Sequence, residues 1–269
     1  MENLGDELLK KYRYKIYNPF IKAIKEYSLL EENDRVAVCM SGGKDSFLMA
    51  LCFKKLLEHS DFPFEVLYLL MDPGYKDSDL KKIKDNMKLL DIEPIIFKTN
   101  IFKVSKNQDK NNCYLCAKMR RGALYSKAKE LGFNKIALGH HFDDVIETLL
   151  ISILYSGEIA GMRPKLESEN YPGIELIRPL YYVREKDIVD STKEYNLSFL
   201  KCGCFMTEDR ILCESSKRQI IKKMIDSLDD SKNSVSKNIH KAMSNINIEK
   251  MNAYKINGKI IDMINKKNV

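Results

Sequence analysis

The chain has no tryptophan, only four histidines and only seven prolines among its 269 residues. No apolar run approaches the roughly 18 residues that a membrane helix needs, so no membrane association is expected. The opening stretch MENLGDELLKKYRYK is acidic and then basic, without the apolar core of a secretory signal. Seven cysteines over this length are too sparse for a secreted disulfide scaffold. A cytoplasmic chain with free or metal-bound thiols is the expectation. What the sequence does have is 44% hydrophobic and 31% charged residues, enough apolar side chains for a sizeable core. Its formal charge is +7, and from Lys217 onward twelve Lys and Arg face five Asp and Glu, so the whole excess lies in the C-terminal stretch. A basic tail suggests a polyanionic partner, nucleic acid first. The plainer reading is a solvated Lys/Asn-rich tail.

Apolar positions at Leu8, Leu9, Tyr12, Ile16, Phe20, Ile21, Ile24 and Tyr27 predict a helix over 3–30 whose other faces carry Lys and Arg. Short apolar runs at 31–40, 64–72, 93–100, 134–141 and 175–180 read as buried strands. Amphipathic helices are expected after the loop that opens 41–60, and over 78–91, 116–132, 143–157, 184–196 and 214–227, with polar loops at 101–112 and 158–173. This alternation predicts an α/β fold: a parallel sheet flanked by helices, with an N-terminal helix and a C-terminal helical tail. The expected division is a basic helix at 1–30, a catalytic domain at 31–200, and a cysteine loop with basic tail at 201–269. Ligands of such sheets bind at the carboxyl ends of strands, against helix N-termini. Every unusual motif of this chain falls at such an end.

The first is Ser41-Gly42-Gly43-Lys44-Asp45-Ser46, between the first strand and its helix. Two glycines let the backbone approach a ligand closely, and exposed N–H groups with the helix dipole favour an anion. Ser41 and Ser46 add hydroxyls, and Lys44 adds a cation. Neither the Walker A pattern nor the dinucleotide G-x-G-x-x-G is present. A bare SGG would be an ordinary strand–helix turn; the full hexapeptide is far more specific. The second is Gly139-His140-His141-Phe142-Asp143-Asp144, at the fourth strand's end. Its adjacent carboxylates suit a helix start, and facing a phosphate site they could hold Mg²⁺ or move protons. Taken alone, the motif would more simply be a helix cap with packed histidines.

Cysteines form the third group. Cys39 ends an apolar strand and Cys52 lies in an amphipathic helix, so both read as core residues. Cys113-x-x-Cys116 precedes a helix, and Cys202, Cys204 and Cys213 lie downstream in a loop. The pairs could bind structural zinc, although C-x-C is an unusual zinc spacing. They could be a redox couple, carry a persulfide, or leave one iron of a 4Fe–4S cluster open by offering three thiolates. Their chemistry alone leaves all four readings open.

SGGKDS resembles the signature of the PP-loop ATP pyrophosphatases, and GHHFDD resembles the GHNxDD or GHHxDD of their tRNA-thiolating members. With Cys113-x-x-Cys116 followed by Arg120-Arg121, then GMRPKLESEN and IRPLYYVREKDI, the chain resembles the tRNA 2-thiocytidine synthetases (TtcA) over roughly residues 10–227. No cysteine precedes Cys39 or follows Cys213, so the terminal zinc fingers of the archaeal-type 2-thiouridine synthetases are not expected. The resemblance implies a PP-loop fold and a cytoplasmic, ATP- and Mg²⁺-dependent enzyme. Its substrate would be cytidine 32 of the tRNA anticodon loop, and its sulfur would arrive through a 4Fe–4S cluster held by three cysteines. It implies that Ser41–Ser46 hold pyrophosphate, that Asp45 helps place Mg²⁺, and that adenine lies near Met71. Gly139 and His140 would line the nucleotide pocket, with Asp144 as catalytic candidate beside Lys44. Arg120 and Arg121 would hold the α-phosphate or RNA backbone. Cys113 and Cys116 would be cluster ligands, with Cys204, then Cys202, then Cys213, as choices for the third, because the spacing before SKRQ departs from the family's. The partners implied are tRNA and a sulfur donor such as a cysteine desulfurase system; a homodimer is one candidate assembly. The alternatives are a 2-thiouridine-type relative and a zinc-containing RNA-binding protein.

Overall fold

Parallel strands buried on both faces need almost unbroken apolar runs, and RVAVCM supplies one. It forms β1 (Arg35–Met40), buried at every position after Arg35. In a computed structural model that describes residues 4–106, 112–195, 197–199 and 216–264, β1 lies inside a six-stranded sheet of order β3-β2-β1-β4-β6-β5. The flanking strands are β2 (Glu65–Asp72), β3 (Ile95–Lys98), β4 (Lys135–Ala137), β5 (Lys165–Glu167) and β6 (Glu175–Ile177). All run parallel except β5, which pairs antiparallel with β6 at the edge. Val38 aligns with Tyr68 on one side and Ala137 on the other. The chain runs outward from β1 through β2 to β3, then returns to β4 on the other side of β1. The crevice between the carboxyl ends of β1 and β4 is therefore the switch point where ligands bind in such sheets.

The helices of this part are α1 (Leu4–Lys11), α2 (Asn18–Glu26), α3 (Lys44–His59), α4 (Asp77–Leu89), α5 (Ile101–Lys106), α6 (Asn112–Glu130), α7 (Phe142–Ser156) and α8 (Glu185–Glu194). The expected amphipathic helix after SGGKDS is instead buried without a break from Ser46 to Phe53. Its second face is covered by the N-terminal segment: Phe20 meets Phe53 edge-on at 5.4 Å, and Gly5 packs on Leu51. That N-terminal helix is not continuous. A π-helical turn spans Arg13–Tyr17 between α1 and α2. Pro19 explains the interruption, because its ring and missing N–H are incompatible with a regular bond to the carbonyl four residues back.

Four further expectations are corrected. The segment 158–173, expected as a loop, contains β5, whose backbone pairs antiparallel with the edge of β6 that β4 leaves open. Residues 101–106 are helix rather than loop, because Asn100 precedes an apolar pair, Ile101 and Phe102, that is buried at 4% and 5% exposure. The CxxC motif does not precede its helix but lies within the first turns of α6; nothing in Cys-Tyr-Leu-Cys breaks a helix. The tail is not simply helical. After α9 (Lys217–Leu228) and α10 (Ser234–Ala242) come β7 (Ala253–Ile256) and β8 (Lys259–Asp262), a two-stranded hairpin. Its turn, Asn257-Gly258, has φ of +49° and +77°, the positive values a two-residue hairpin turn requires. The chain divides into two compact units, Met1–Ile221 and Lys222–Val269. Among the described residues no helix is long and apolar enough to cross a membrane.

Candidate active site at the carboxyl ends of β1 and β4

The SGGKDS loop closes on itself through hydroxyls. Ser46 Oγ accepts from the Ser41 amide at 3.1 Å and donates to the Gly43 carbonyl at 3.0 Å. Gly42 sits at φ +77°, the Gly43 amide donates to Ser41 Oγ at 3.4 Å, and Gly43 caps α3. Lys44 does not line the cavity below the loop. It reaches Glu185 at 3.1 Å and Asp45 at 3.1 Å. Burial opposes its charge, but Asp45 and Glu185 outweigh burial and raise its pKa.

A second loop, GHHFDD, packs against the first. A Cβ on Gly139 would lie 3.1 Å from the Ser46 amide nitrogen and 3.2 Å from the Asp45 carbonyl carbon. Only glycine lets the two loops approach this closely. The two aspartates then separate in role. Asp143 accepts from the Glu185 amide at 2.6 Å and pairs with Arg184 at 3.0 Å, so it fixes the start of α8. Asp144 faces the cavity. It forms a capping box with His141, whose Nδ1 accepts from the Asp144 amide at 3.3 Å while the His141 amide donates to Asp144 Oδ2 at 3.1 Å. Acceptance at Nδ1 puts the proton of a neutral His141 on Nε2.

Asp144 has a further partner that the sequence reading missed. Arg218, in the first turn of α9, donates to Asp144 Oδ1 at 2.5 Å and to Glu147 Oε2 at 3.2 Å. Burial alone would raise the Asp144 pKa, but His141, His140 and Arg218 outweigh it and hold the carboxyl below its ordinary value. The SKRQ segment containing Arg218 was informative in sequence only as a helix marker.

The cavity itself has a volume of about 470 Å³. Ser41, Asp45, Ser46, Met71, Gly139, His140 and Asp144 line it, together with Arg120 and Arg121 from α6 and Arg178 after β6. Three arginines around one space demand an anion. Arg178, also missed, is the most constrained of them. It is 8% exposed and its Nε has no hydrogen-bond partner. Burial pushes its pKa down to about 10, and Arg121 adds to the effect. His140 carries a second orphaned atom, a fully buried Nδ1, although its ring edge opens on the cavity. Burial, then Arg178, pull its pKa down to about 4, so His140 is neutral at pH 7. These unpaired donors and acceptors fit the phosphates and base of a nucleotide.

Ala117, next to Cys116, also lines the cavity, so the CxxC helix borders the nucleotide space. Cys116 is half-buried; the side chain of Cys113 and all of Cys202, Cys204 and Cys213 lie outside the described residues. Cys39 and Cys52 are buried, and burial pushes the Cys39 thiol up to about 12 and Cys52 up as well.

The model of the PP-loop domain family matches residues 11–202. The tRNA-cytidine(32) 2-sulfurtransferase of Coxiella burnetii (strain CbuG_Q212) is 37% identical over 246 residues, covering 88% of this chain and 91% of the relative. The protein of the same name from Legionella pneumophila (strain Paris) is 40% identical over 212 residues, covering 77% of this chain and 71% of the relative. Among solved structures, the U34-tRNA thiolase NcsA from Methanococcus maripaludis, with its 4Fe–4S cluster, superposes at TM-score 0.63 with 20% identity. It covers 89% of this chain and 80% of its own. At that identity the likeness establishes the fold.

Proposed function

Because this chain belongs to the PP-loop domain family and, within it, to the tRNA-cytidine(32) 2-sulfurtransferases, we propose that it uses ATP to replace the C2 oxygen of cytidine 32 of tRNA with sulfur. The observation that carries this reading is the single cavity bordered by the SGGKDS loop, Asp144, three arginines and the CxxC helix. It puts an anion site, a carboxylate and a thiol-bearing helix around one space.

In this reading the C2 oxygen of cytidine attacks the α-phosphorus of ATP. A C–O–P bond forms, the α–β P–O bond breaks, and pyrophosphate leaves into the loop of Ser41, Gly42, Gly43 and Ser46. The loop amides and Lys44 stabilise charge on the leaving group. Arg120, Arg121 and Arg178 hold the α-phosphate, and Met71 packs against adenine. Gly139 lets the two loops close, and neutral His140 offers a hydrogen bond without adding a cation. Asp144, whose pKa is held below its ordinary value, and Asp45 are the carboxylates that would hold Mg²⁺, which would offset phosphate charge. A 4Fe–4S cluster on Cys113, Cys116 and Cys204, with Cys202 as the other choice for the third ligand, would supply the sulfur atom. Sulfur at the sulfide level, as hydrosulfide, would then form the C–S bond at C2 and release its proton to solvent as AMP departs with the original oxygen; where the donor offers a persulfide, a thiol reductant would supply the two electrons. A cysteine desulfurase system is the fitting sulfur donor, and the basic C-terminal unit the fitting contact for tRNA phosphates.

The test is thiolation of tRNA by anaerobically purified protein, with iron, sulfide and zinc measured on the same sample. Lys44→Ala and Asp144→Ala are expected to abolish 2-thiocytidine formation while each variant still unfolds in one cooperative thermal transition above the assay temperature. Full activity in both variants would refute the site. Stoichiometric zinc without iron would refute the cluster and favour a zinc-containing RNA-binding protein.

A further inference from the structure

The cation of the phosphate loop is held by a helix that belongs to neither motif. Lys44 opens α3, and its Nζ lies 3.1 Å from Glu185 Oε1, a residue 141 positions later in the chain, and 3.1 Å from Asp45 Oδ1. Only about a quarter of either side chain is exposed, 25% for Lys44 and 23% for Glu185, so solvent screens this pair less than one on the surface. A lysine carries its charge on a flexible four-carbon stem with three donors. Among the described residues, Glu185 and Asp45 take two of them, and the third remains for a phosphate oxygen.

Glu185 is itself fixed by the second motif. Its amide, at the start of α8, donates to Asp143 Oδ2 at 2.6 Å. Asp143 Oδ1 pairs with Arg184 at 3.0 Å, and the Arg184 guanidinium lies over the Phe142 ring at 4.8 Å. The Phe142 amide donates to the Val183 carbonyl at 3.0 Å. GHHFDD therefore sets where α8 begins, and the start of α8 sets where a carboxylate meets Lys44. Glu185 does not line the nucleotide cavity. By its charge alone, a carboxylate beside an anion site is unfavourable, so its place there needs a gain that offsets this.

We propose that Glu185 is a positioning residue for the phosphate loop, holding the Lys44 ammonium where pyrophosphate can meet it and linking that cation to the GHHFDD turn through Asp143. The gain is preorganisation: a stem already fixed need not be immobilised when the anion binds. The inference rests on the reading above that SGGKDS holds pyrophosphate, and it adds a residue that acts through Lys44 without touching the ligand.

The experiment is calorimetric titration of the full chain with inorganic pyrophosphate and Mg²⁺, for wild type, Glu185→Gln, Lys44→Ala and the double variant. Glu185→Gln keeps the shape of the side chain and removes its charge. It is expected to weaken pyrophosphate binding by about two- to tenfold, and to cause no further weakening once Lys44 is alanine. A merely structural role would weaken binding equally in both backgrounds, and a purely electrostatic one would tighten it in both. Either result overturns the proposal, as does unchanged affinity in Glu185→Gln. A wild-type chain without affinity for pyrophosphate overturns the phosphate-loop reading and this proposal with it. The titration needs no tRNA, so a chain that shows the expected coupling yet forms no 2-thiocytidine overturns the tRNA reading alone.

Discussion

Asp144 meets the His141 amide through one carboxylate oxygen and Arg218 through the other. The first contact is local and fixed by the turn; the second comes from a helix that follows the cysteine loop in sequence. A charge-assisted bond to a half-buried carboxylate contributes about 1–2 kcal/mol once solvent screening is counted. Arg218→Gln is therefore expected to slow ATP-dependent thiolation by about five- to thirtyfold. Arg218→Lys should restore part of the rate, because it returns the charge on a shorter, differently shaped head than the guanidinium whose Nη1 meets both Asp144 and Glu147; turnover with ATP and tRNA saturating checks both. His140 gives a prediction in stability rather than rate. Its pKa falls from the ordinary 6.5 to about 4 in the folded chain, so between those values the unfolded state binds more protons. Stability is then complete above about pH 6.5 and is lost as pH falls toward 4, with a slope of up to ~1.4 kcal/mol per pH unit. Asp144, depressed below its ordinary 3.8, loses its contribution as pH falls below that value. His140→Gln should flatten urea-derived stability between pH 6.5 and 4; an unchanged slope would assign it to another group. Sequence reading reached Asp144 and His140 because both stand in a contiguous motif. It missed Arg178 and Arg218, which sat in plain view within IRPL and SKRQ, because nothing local says that an arginine will be buried beside a cavity or face a distant carboxylate.

At the scale of elements, the site depends on how closely two strand–helix turns pack. The Gly139 position leaves 3.1 Å to a backbone nitrogen of α3, and backbone cannot rotate away as a side chain can. Gly139→Ala should push the loops apart by a few tenths of an ångström. The expected result is a KM for ATP raised about tenfold, with a stability loss near 1 kcal/mol, measured by pyrophosphate release and urea titration. Elements whose signals were periodic or punctuated by a capping residue were legible: the strand runs before both motifs, and α6 ending before Gly132 at φ +74°. Those that depend on partners were not. The helix Ile101–Lys106 forms because Ile101 and Phe102 find a buried place, with Phe102 edge-on to Tyr75 at 5.8 Å. The hairpin at the end of the chain is a different case. Asn257-Gly258 is a strong local hairpin signal, and reading the tail as helix alone passed over it.

For the whole molecule, the charge divides with the fold. The unit Lys222–Val269 holds lysines and no arginine, and Lys237, Lys241, Lys255 and Lys259 are all exposed. Lysines placed this way bind phosphates as point charges without reading sequence. Replacing these four with Gln should flatten the salt dependence of tRNA binding by up to about four in log–log slope, while the melting temperature stays put; an unchanged slope would place the RNA elsewhere. The sequence by itself determined the five parallel strands and their order along the chain, the phosphate loop, the second acidic motif and the family, because each rests on contiguous residues whose local geometry and chemistry are self-contained. Only the tertiary structure decided which aspartate faces the cavity and which caps α8, that three arginines from separate segments surround one space, and that a helix beyond the cysteine loop supplies the cation for Asp144. These are contacts between residues far apart in the chain, and burial, which sets their charge states, exists only once the sheet has brought them together.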